Sequence, residues 1–218
     1  MVGYIPEKRE QEQDRPPHSV GEGSAGMVRP RNEEMRSGIA NTAFSLFHEV
    51  GYTHASYTLL AERCGITRAL VQYHWPKKEL LAVDSMTRLL GETIRQLGLP
   101  NHGTGNPSSD AAKLVSIGTH FFSILTEDEG WRQFLLDILK SRELTEQVLA
   151  FNARWAFTYI GQEPRDATFE EVVVSMGGFY ELLYYRLKHN KSLDIKPRLE
   201  KVVNEFMQTL DYVNASEQ

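Results

Sequence analysis

The sequence predicts an all-α protein of about nine helices, and three observations lead to that prediction. Apolar residues recur at steps of three and four in one segment after another, which is the spacing of a single helix face. Strand patterns are nearly missing, because the one β-branched cluster, 172–174, lies inside an apolar stretch too long for a typical strand. Turn-forming residues, above all in 98–110, separate the helical segments.

Four helices are predicted before this loop. The first begins at Asn32, and Gly51 ends it. Ser56 is expected to cap a short second helix over 57–64, and Thr67 caps a third that runs to about residue 75. The fourth covers 76–97, because Pro76 ends the third helix and suits a helix start.

Five further apolar stripes follow the loop and predict helices around 114–125, 134–139, 144–159, 172–187 and 195–213. Gly177 and Gly178 interrupt the fourth of them, and each costs a helix roughly 1 kcal/mol relative to Ala. A close approach of another helix would explain glycine at both positions.

Three regions follow from these patterns: an arm over 1–31, a compact unit over 32–80 and a second helical unit over 81–218. The arm is expected to be disordered, because it mixes proline, glycine and charge without apolar periodicity. Its Arg29 and Arg31 would contact the minor groove of a bound DNA or belong to a simple tail, and both alternatives stay open.

The 218-residue composition excludes several classes of protein. The single Cys64 rules out a disulfide framework, and no Cys/His pattern with metal-ligand spacing occurs, so we expect no metal and no cofactor. No nucleophile elbow, HExxH motif or glycine-rich phosphate loop is present, which argues against an enzyme. The charged N-terminus is unlike a secretory signal, and no apolar run could span a membrane, so a cytoplasmic location is expected.

Charge is distributed unevenly along a chain whose net charge is −5. The excess acid lies in 81–218, whereas the window 63–80 holds four cations against the single acid Glu79. A small basic patch on an acidic chain favours binding to a polyanion at one defined place.

The basic patch coincides with the spacing of a helix-turn-helix. Ala61 is small where two helices must approach, and Gly65 provides the positive φ of the turn. Val71 is expected to anchor the second helix, and the same spacing also fits a plain helical hairpin. The polar residues between these anchors would line an exposed face that can enter the major groove of DNA: Thr67, Arg68, Gln72 and Tyr73.

Residues 35–81 resemble the DNA-binding domain of the TetR family of bacterial transcriptional regulators. The resemblance rests on the following residues: Leu46, Phe47, Gly51, Tyr52, Ser56, Ala61, Glu62, Gly65, Ile66, Thr67, Trp75, Lys78, Glu79 and Leu80. It implies a three-helix DNA-binding domain followed by a helical domain that senses a ligand and forms a homodimer.

The resemblance also implies roles for single residues. Lys78 matches the lysine that approaches a phosphate at the start of the fourth helix, and Lys77 precedes it in the basic patch. Gln72 stands where the family usually has a phosphate-contacting tyrosine, with Tyr73 one position later. Leu70 replaces a small residue that faces DNA, and we expect it to meet a thymine methyl group.

Aromatic residues concentrate in the second unit and predict a pocket for an apolar or aromatic molecule, although most single rings are expected to be ordinary core. The candidate lining residues are Phe122, Trp131, Trp155, Tyr159, Met176 and Tyr180. The function predicted from the sequence is a dimeric repressor that binds a near-palindromic operator in double-stranded DNA and is released by such a molecule. The alternative is a DNA-binding regulator or organiser controlled by a protein partner.

Overall fold

The computed structural model describes residues 28–215, which form nine α-helices and no strand. The predicted all-α fold is therefore confirmed. The helices are α1 (Val28–His54), α2 (Tyr57–Cys64), α3 (Arg68–His74), α4 (Lys78–Gln96), α5 (Pro107–Glu127), α6 (Glu129–Lys140), α7 (Arg142–Tyr159), α8 (Asp166–Lys188) and α9 (Ile195–Ala215).

Helix α1 begins at Val28, four residues before the predicted start of the first helix. Residues 1–27 of the predicted arm lie outside the described residues, as do the side chains of Arg29 and Arg31. The disorder of the arm and its contact with the minor groove therefore stay predictions.

Side-chain caps explain where most helices begin. In α2, α3, α5, α6 and α7 the capping oxygen accepts the backbone N–H three residues along, which satisfies a donor that has no partner within the helix. The capping residues are Ser56, Thr67, Asn106, Asp128 and Ser141. Because the capped first turns are polar, several helices begin earlier than their apolar stripes predicted.

Two glycines punctuate the N-terminal unit as predicted. Gly51 has a φ of 75° and interrupts α1, and Gly65 has a φ of 65° and ends α2. Both values lie in the left-handed region, where a side chain is strained. The chain can therefore reverse twice within 15 residues, between 51 and 65, and bring α2 and α3 against α1.

Helix α6 joins the second unit to the first by packing along α1. Phe44 stacks obliquely on Trp131 with ring centroids 4.7 Å apart, and Phe47 stacks on Phe134 at 5.3 Å. His48 Nε2 lies 2.8 Å from the Asp128 carboxylate at the edge of this contact. Such aromatic pairs stabilise beyond their buried area, so α6 holds the orientation of α1.

The second unit packs α5, α8 and α9 around a shared apolar core, and α4 connects this core with the N-terminal unit. A Cβ atom on Gly177 would lie 3.9 Å from Leu149, and one on Gly178 would meet no atom within 4 Å. Within residues 28–215, therefore, no neighbouring helix approaches Gly178 closely. The outer face of α8 around Gly178 is exposed and includes Val174 and Tyr185.

Candidate DNA-binding surface and interior cavity

The turn between α2 and α3 has the geometry of a helix-turn-helix. Ser56 Oγ accepts the Leu59 N–H at 3.1 Å, and Thr67 Oγ1 accepts the Leu70 N–H at 3.2 Å. Ala61 is 5% exposed at the contact of the two helices, and Val71 is fully buried. The anchors predicted from spacing thus occupy the positions that a helix-turn-helix requires.

Contacts from α1 and α2 hold the C-terminal end of α3. The Arg36 guanidinium donates to the His74 carbonyl at 2.7 Å and lies 4.1 Å from the centroid of the Trp75 ring. The Trp75 indole donates in return to the Arg36 carbonyl at 3.1 Å, and the Tyr57 hydroxyl donates to the Trp75 carbonyl at 2.8 Å. These bonds satisfy carbonyls at the end of α3 and fix the direction of that helix.

The outward face of α3 collects four of the predicted DNA-binding residues. Thr67, Arg68 and Gln72 are exposed, and Tyr73 is 72% exposed, which is a large fraction for an aromatic ring. Leu70 is half-buried beside them. The structure therefore brings these side chains together on one surface, which α3 and its capping residue Thr67 form.

Lys77 and Lys78 are adjacent in sequence but lie in different environments. Lys77 is exposed, whereas Lys78 is half-buried and its Nζ donates to the Tyr52 carbonyl at 2.9 Å. The ammonium also lies 4.0 Å from the centroid of the Tyr52 ring. Burial lowers the pKa of Lys78, although Glu79 and Asp137 act against that shift. Lys77 is thus the freer cation of the two.

Asp137 of α6 fixes the same turn from the other side. Its Oδ2 accepts the Thr53 N–H at 2.9 Å, and its Oδ1 accepts from the Gln133 amide at 2.8 Å. The residue is 5% exposed, and Lys140 Nζ lies 3.5 Å from Oδ1. The turn that follows Gly51 is therefore held by α4 and α6 together. This carboxylate was not predicted from the sequence, where it is a single acid on the apolar face of α6.

The second unit contains an interior cavity of about 70 Å³. Helices α4, α5, α7, α8 and α9 contribute to its wall. The lining residues are Leu90, Leu114, Gly118, Phe121, Phe122, Asn152, Trp155, Ala156, Val172, Met176, Leu199, Val202, Val203 and Phe206. None of them carries a charge, so the cavity is suited to a neutral molecule.

Three of the six predicted lining residues border this cavity, namely Phe122, Trp155 and Met176. Tyr180 lies directly behind it and packs edge-on against Phe122 with ring centroids 5.9 Å apart. Trp131 lies elsewhere, at the contact of α1 and α6. Tyr159 is 1% exposed, stacks on Trp155 at 5.3 Å, and is not part of the wall.

Asn152 is a polar residue of the cavity wall that was not predicted from the sequence. It is 7% exposed, borders the cavity and donates a short hydrogen bond from Nδ2 to the Tyr180 hydroxyl. Burial raises the pKa of Tyr180, so this hydroxyl stays protonated. The signal available in the sequence is an amide on the same helix face as Val148, Leu149 and Trp155.

The described residues form neither a metal site nor a membrane-spanning helix. Within 28–215, no group of three or more His, Cys, Asp or Glu side chains is arranged to hold a metal ion. Within the same range, no helix is long and apolar enough to cross a membrane.

Known proteins similar to this chain include solved structures with low sequence identity. A tetR-family transcriptional regulator from Streptomyces coelicolor is 18% identical and has a TM-score of 0.48, with 85% of this chain and 84% of that chain covered. NalD from Pseudomonas aeruginosa, the secondary repressor of the MexAB-OprM multidrug efflux pump, is 19% identical and has a TM-score of 0.41. That match covers 82% of this chain and 96% of NalD.

Sequence comparison matches the N-terminal unit to known bacterial regulators. The uncharacterized HTH-type transcriptional regulator YdeS of Bacillus subtilis (strain 168) is 28% identical over 102 residues, which span 47% of this chain and about half, 48%, of YdeS. The family model described as bacterial regulatory proteins, tetR family, matches residues 39–84, which extend from α1 into α4 and include the whole helix-turn-helix. Over these residues the chain is thus similar to bacterial regulatory proteins of the tetR family.

Proposed function

We propose that this chain is a dimeric repressor that binds a near-palindromic operator and leaves it when a small neutral molecule occupies the second unit. The observation that carries the proposal is the outward face of α3, where Thr67, Arg68, Gln72 and Tyr73 are exposed on a helix whose end is fixed by α1. A short, rigidly held helix with polar side chains is the element that reads base edges in the major groove.

Two exposed cations flank this face, Arg68 at the start of α3 and Lys77 just before α4. Neither makes an ion pair with a described residue, whereas Arg63 is held by Glu49 at 2.7 Å. Free cations beside a recognition helix provide the phosphate contacts that position it on DNA. We therefore assign phosphate contact to Arg68 and Lys77, and we assign Lys78 a role in holding the turn before α2.

The homodimer is proposed from the outer face of α8. Val174 is 72% exposed and Tyr185 is 48% exposed, and Gly178 lies between them on the same face. Exposed apolar residues next to a glycine allow two helices to approach closely and bury a shared surface. A second copy packed there would set the spacing of two α3 helices, which is what a near-palindromic operator requires.

Ligand control is supported by the continuity between the cavity and the DNA-binding unit. Helix α4 begins at Lys78, which contacts Tyr52, and reaches the cavity wall at Leu90. A ligand that displaces α4 would move the turn before α2. A preference of a few kcal/mol for one dimer geometry changes operator occupancy by about tens to hundreds of fold.

The test is selection of bound sequences from random duplex DNA with the full-length chain, followed by fluorescence anisotropy of the selected duplex at several salt concentrations. Wild type is compared with Arg68→Ala, Lys77→Ala and the control Arg154→Ala, an exposed arginine of α7. We expect the selected sequence to be palindromic and both test variants to bind it more weakly. The slope of log K against log salt concentration should be reduced by about 0.9 for each lost phosphate contact.

A selected sequence without two-fold symmetry would contradict the dimeric operator. Equal losses of affinity in all three variants would contradict the assigned surface. If selected DNA is bound but no neutral small molecule releases it, control by a protein partner becomes the better account. A cytoplasmic location, where the chain would meet DNA, is part of the same proposal.

A further inference from the structure

The interior cavity has one polar side chain placed to recognise a ligand. None of its lining residues is charged, and apart from the Trp155 indole N–H the single polar side chain among them is Asn152. A carboxylate or ammonium group entering this space would lose its hydration without gaining a counter-ion. The wall therefore disfavours charged molecules. The Asn152 amide is the group that can distinguish between neutral ones.

Half of the Asn152 amide is unused. Its Nδ2 donates to the Tyr180 hydroxyl, and its Oδ1 accepts no hydrogen bond from any described residue. The Asn152 residue as a whole is 7% exposed, and its Oδ1 is not among the fully buried oxygens that lack a partner, which among the described residues are those of Thr119 and Tyr159. An amide oxygen without a protein partner, on a residue that borders a cavity, offers an acceptor to a donor group of a ligand.

Tyr180 keeps the amide in position. This tyrosine is 1% exposed, and its ring packs edge-on against Phe122 at 5.9 Å and Phe179 at 6.2 Å. Because the phenol ring is held on two sides, the bond from Asn152 to its hydroxyl fixes the plane of the amide. A polar group held in this way discriminates between ligands better than a mobile one does.

We propose that this cavity binds neutral apolar molecules that carry a hydroxyl group, and that the hydroxyl pairs with the Asn152 amide. A hydroxyl can donate to Oδ1, and it can equally accept from Nδ2 if the amide is rotated by half a turn. The inference deepens the proposed ligand-responsive function and rests on it for its regulatory consequence.

The size of the cavity adds a conformational consequence. Its volume of about 70 Å³ is below the roughly 150 Å³ that accommodates benzene in an apolar protein cavity. A ring-sized ligand must therefore displace part of the wall. A Cβ atom on Gly118 would lie 3.1 Å from Leu199 Cδ1, so α5 and α9 already touch closely there. We expect the displacement to involve α4, whose Leu90 borders the cavity, and α8, whose outer face we assign to the dimer.

The experiment is isothermal titration of the full-length chain with three probes of matched shape: para-propylphenol, propylbenzene and para-propylbenzoate. Wild type is compared with Asn152→Leu and with the control Asn204→Leu, an exposed asparagine of α9. Wild type and the control are expected to bind the phenol about tenfold more tightly than the hydrocarbon, which is the effect of one buried hydrogen bond, and not to bind the benzoate. In Asn152→Leu the phenol and the hydrocarbon should bind equally.

A second measurement does not depend on a variant that folds. In isotope-labelled wild type saturated with either probe, the side-chain amide resonances of Asn152 should shift further with propylphenol than with propylbenzene, whose ring acts on them only through its ring current. Equal affinities of wild type for these two probes, a preference that survives in Asn152→Leu, or an Asn152 resonance indifferent to the phenol would each overturn the inference.

Operator binding by the same protein samples separates the two proposals. If wild type binds its selected duplex but none of the probes, the inference about the cavity fails and the proposed DNA binding stands. If the probes are discriminated as expected but no duplex is selected, the cavity is a ligand site and the proposed regulatory function fails.

Discussion

Lys78 Nζ lies 2.9 Å from the Tyr52 carbonyl oxygen and 4.0 Å from the centroid of the same residue's ring. One ammonium thus caps a carbonyl and covers an aromatic face in the turn between α1 and α2. The lysine that the resemblance places at a DNA phosphate thus also links α4 to that turn.

Replacing Lys78 with Met is expected to lower the free energy of unfolding by about 1–2 kcal/mol, because a hydrogen bond and a cation–π contact are lost. Chemical denaturation checks this value. Lys77→Met is the matched control, since Lys77 is exposed, and we expect it to change stability by less than about 0.5 kcal/mol. Equal stability of the two variants would show that the contact with Tyr52 contributes nothing.

The contact between α1 and α6 is sensitive to a single methyl group. A Cβ atom on Gly130 would lie 2.3 Å from the His48 carbonyl oxygen, so Gly130→Ala should cost about 1–3 kcal/mol through forced displacement of backbone. Gly91→Ala is the matched control, because a Cβ atom there meets nothing within 4 Å in the exposed middle of α4.

Gly91→Ala should raise the free energy of unfolding by about 0.5–1 kcal/mol, as expected for Ala replacing Gly within a helix. Thermal unfolding should show a lower stability for Gly130→Ala and a higher stability for Gly91→Ala than for wild type. A gain in stability for Gly130→Ala would show that α6 is free to move away from α1.

The Asp128 carboxylate is expected to make stability depend on pH. The Trp131 N–H, followed by the His48 side chain, holds the pKa of Asp128 below its ordinary value of 3.8, although partial burial acts against the shift. A folded-state pKa below the unfolded value stabilises the fold above pH 3.8, and this contribution disappears as pH falls through the folded pKa.

Asp128→Asn retains a helix cap but removes the titration. We expect the variant to be less stable than wild type at neutral pH, with the difference shrinking as the pH falls below about 4. Free energies of unfolding across this pH range test the prediction, with Glu146→Gln on the exposed face of α7 as control. A difference that does not change with pH would assign the effect to the cap alone.

The outer face of α8 is the proposed interface of the homodimer. Val174→Arg places a charge on each copy where two apolar faces are proposed to meet, and should weaken the dimer by at least about tenfold. Light scattering at a series of concentrations measures this change. Thr158→Arg introduces the same charge on an exposed position of α7 and should leave the dimer unchanged. A dimer that tolerates Val174→Arg would place the interface on another surface.

Much of the architecture was predictable because its signals are local. The apolar stripes, the caps at Ser56 and Thr67 and the left-handed glycines at 51 and 65 depend on residues a few positions apart. The outward face of α3 followed from the same periodicity. The confirmed number and order of the helices come from these short-range preferences.

The interior site was less predictable. Phe122, Trp155 and Met176 border the cavity, whereas Trp131 packs on α1 and Tyr159 stacks on Trp155 without bordering the cavity. Aromatic residues occur both at the contact of α1 and α6 and at the cavity, and the sequence does not reveal which ring faces which helix. Asn152 escaped notice because its importance depends on Tyr180, 28 positions away on α8.

The sequence by itself determined the all-α class, the helix-turn-helix and the polar face of α3, because each depends on spacing within one or two helices. The tertiary structure alone decided that Lys78 binds the Tyr52 turn, that Asp137 supports the same turn and that Asn152 keeps an unpaired oxygen beside a cavity. These three facts depend on contacts between residues 26, 84 and 28 positions apart. Such contacts arise from the packing of whole helices, which no local pattern encodes.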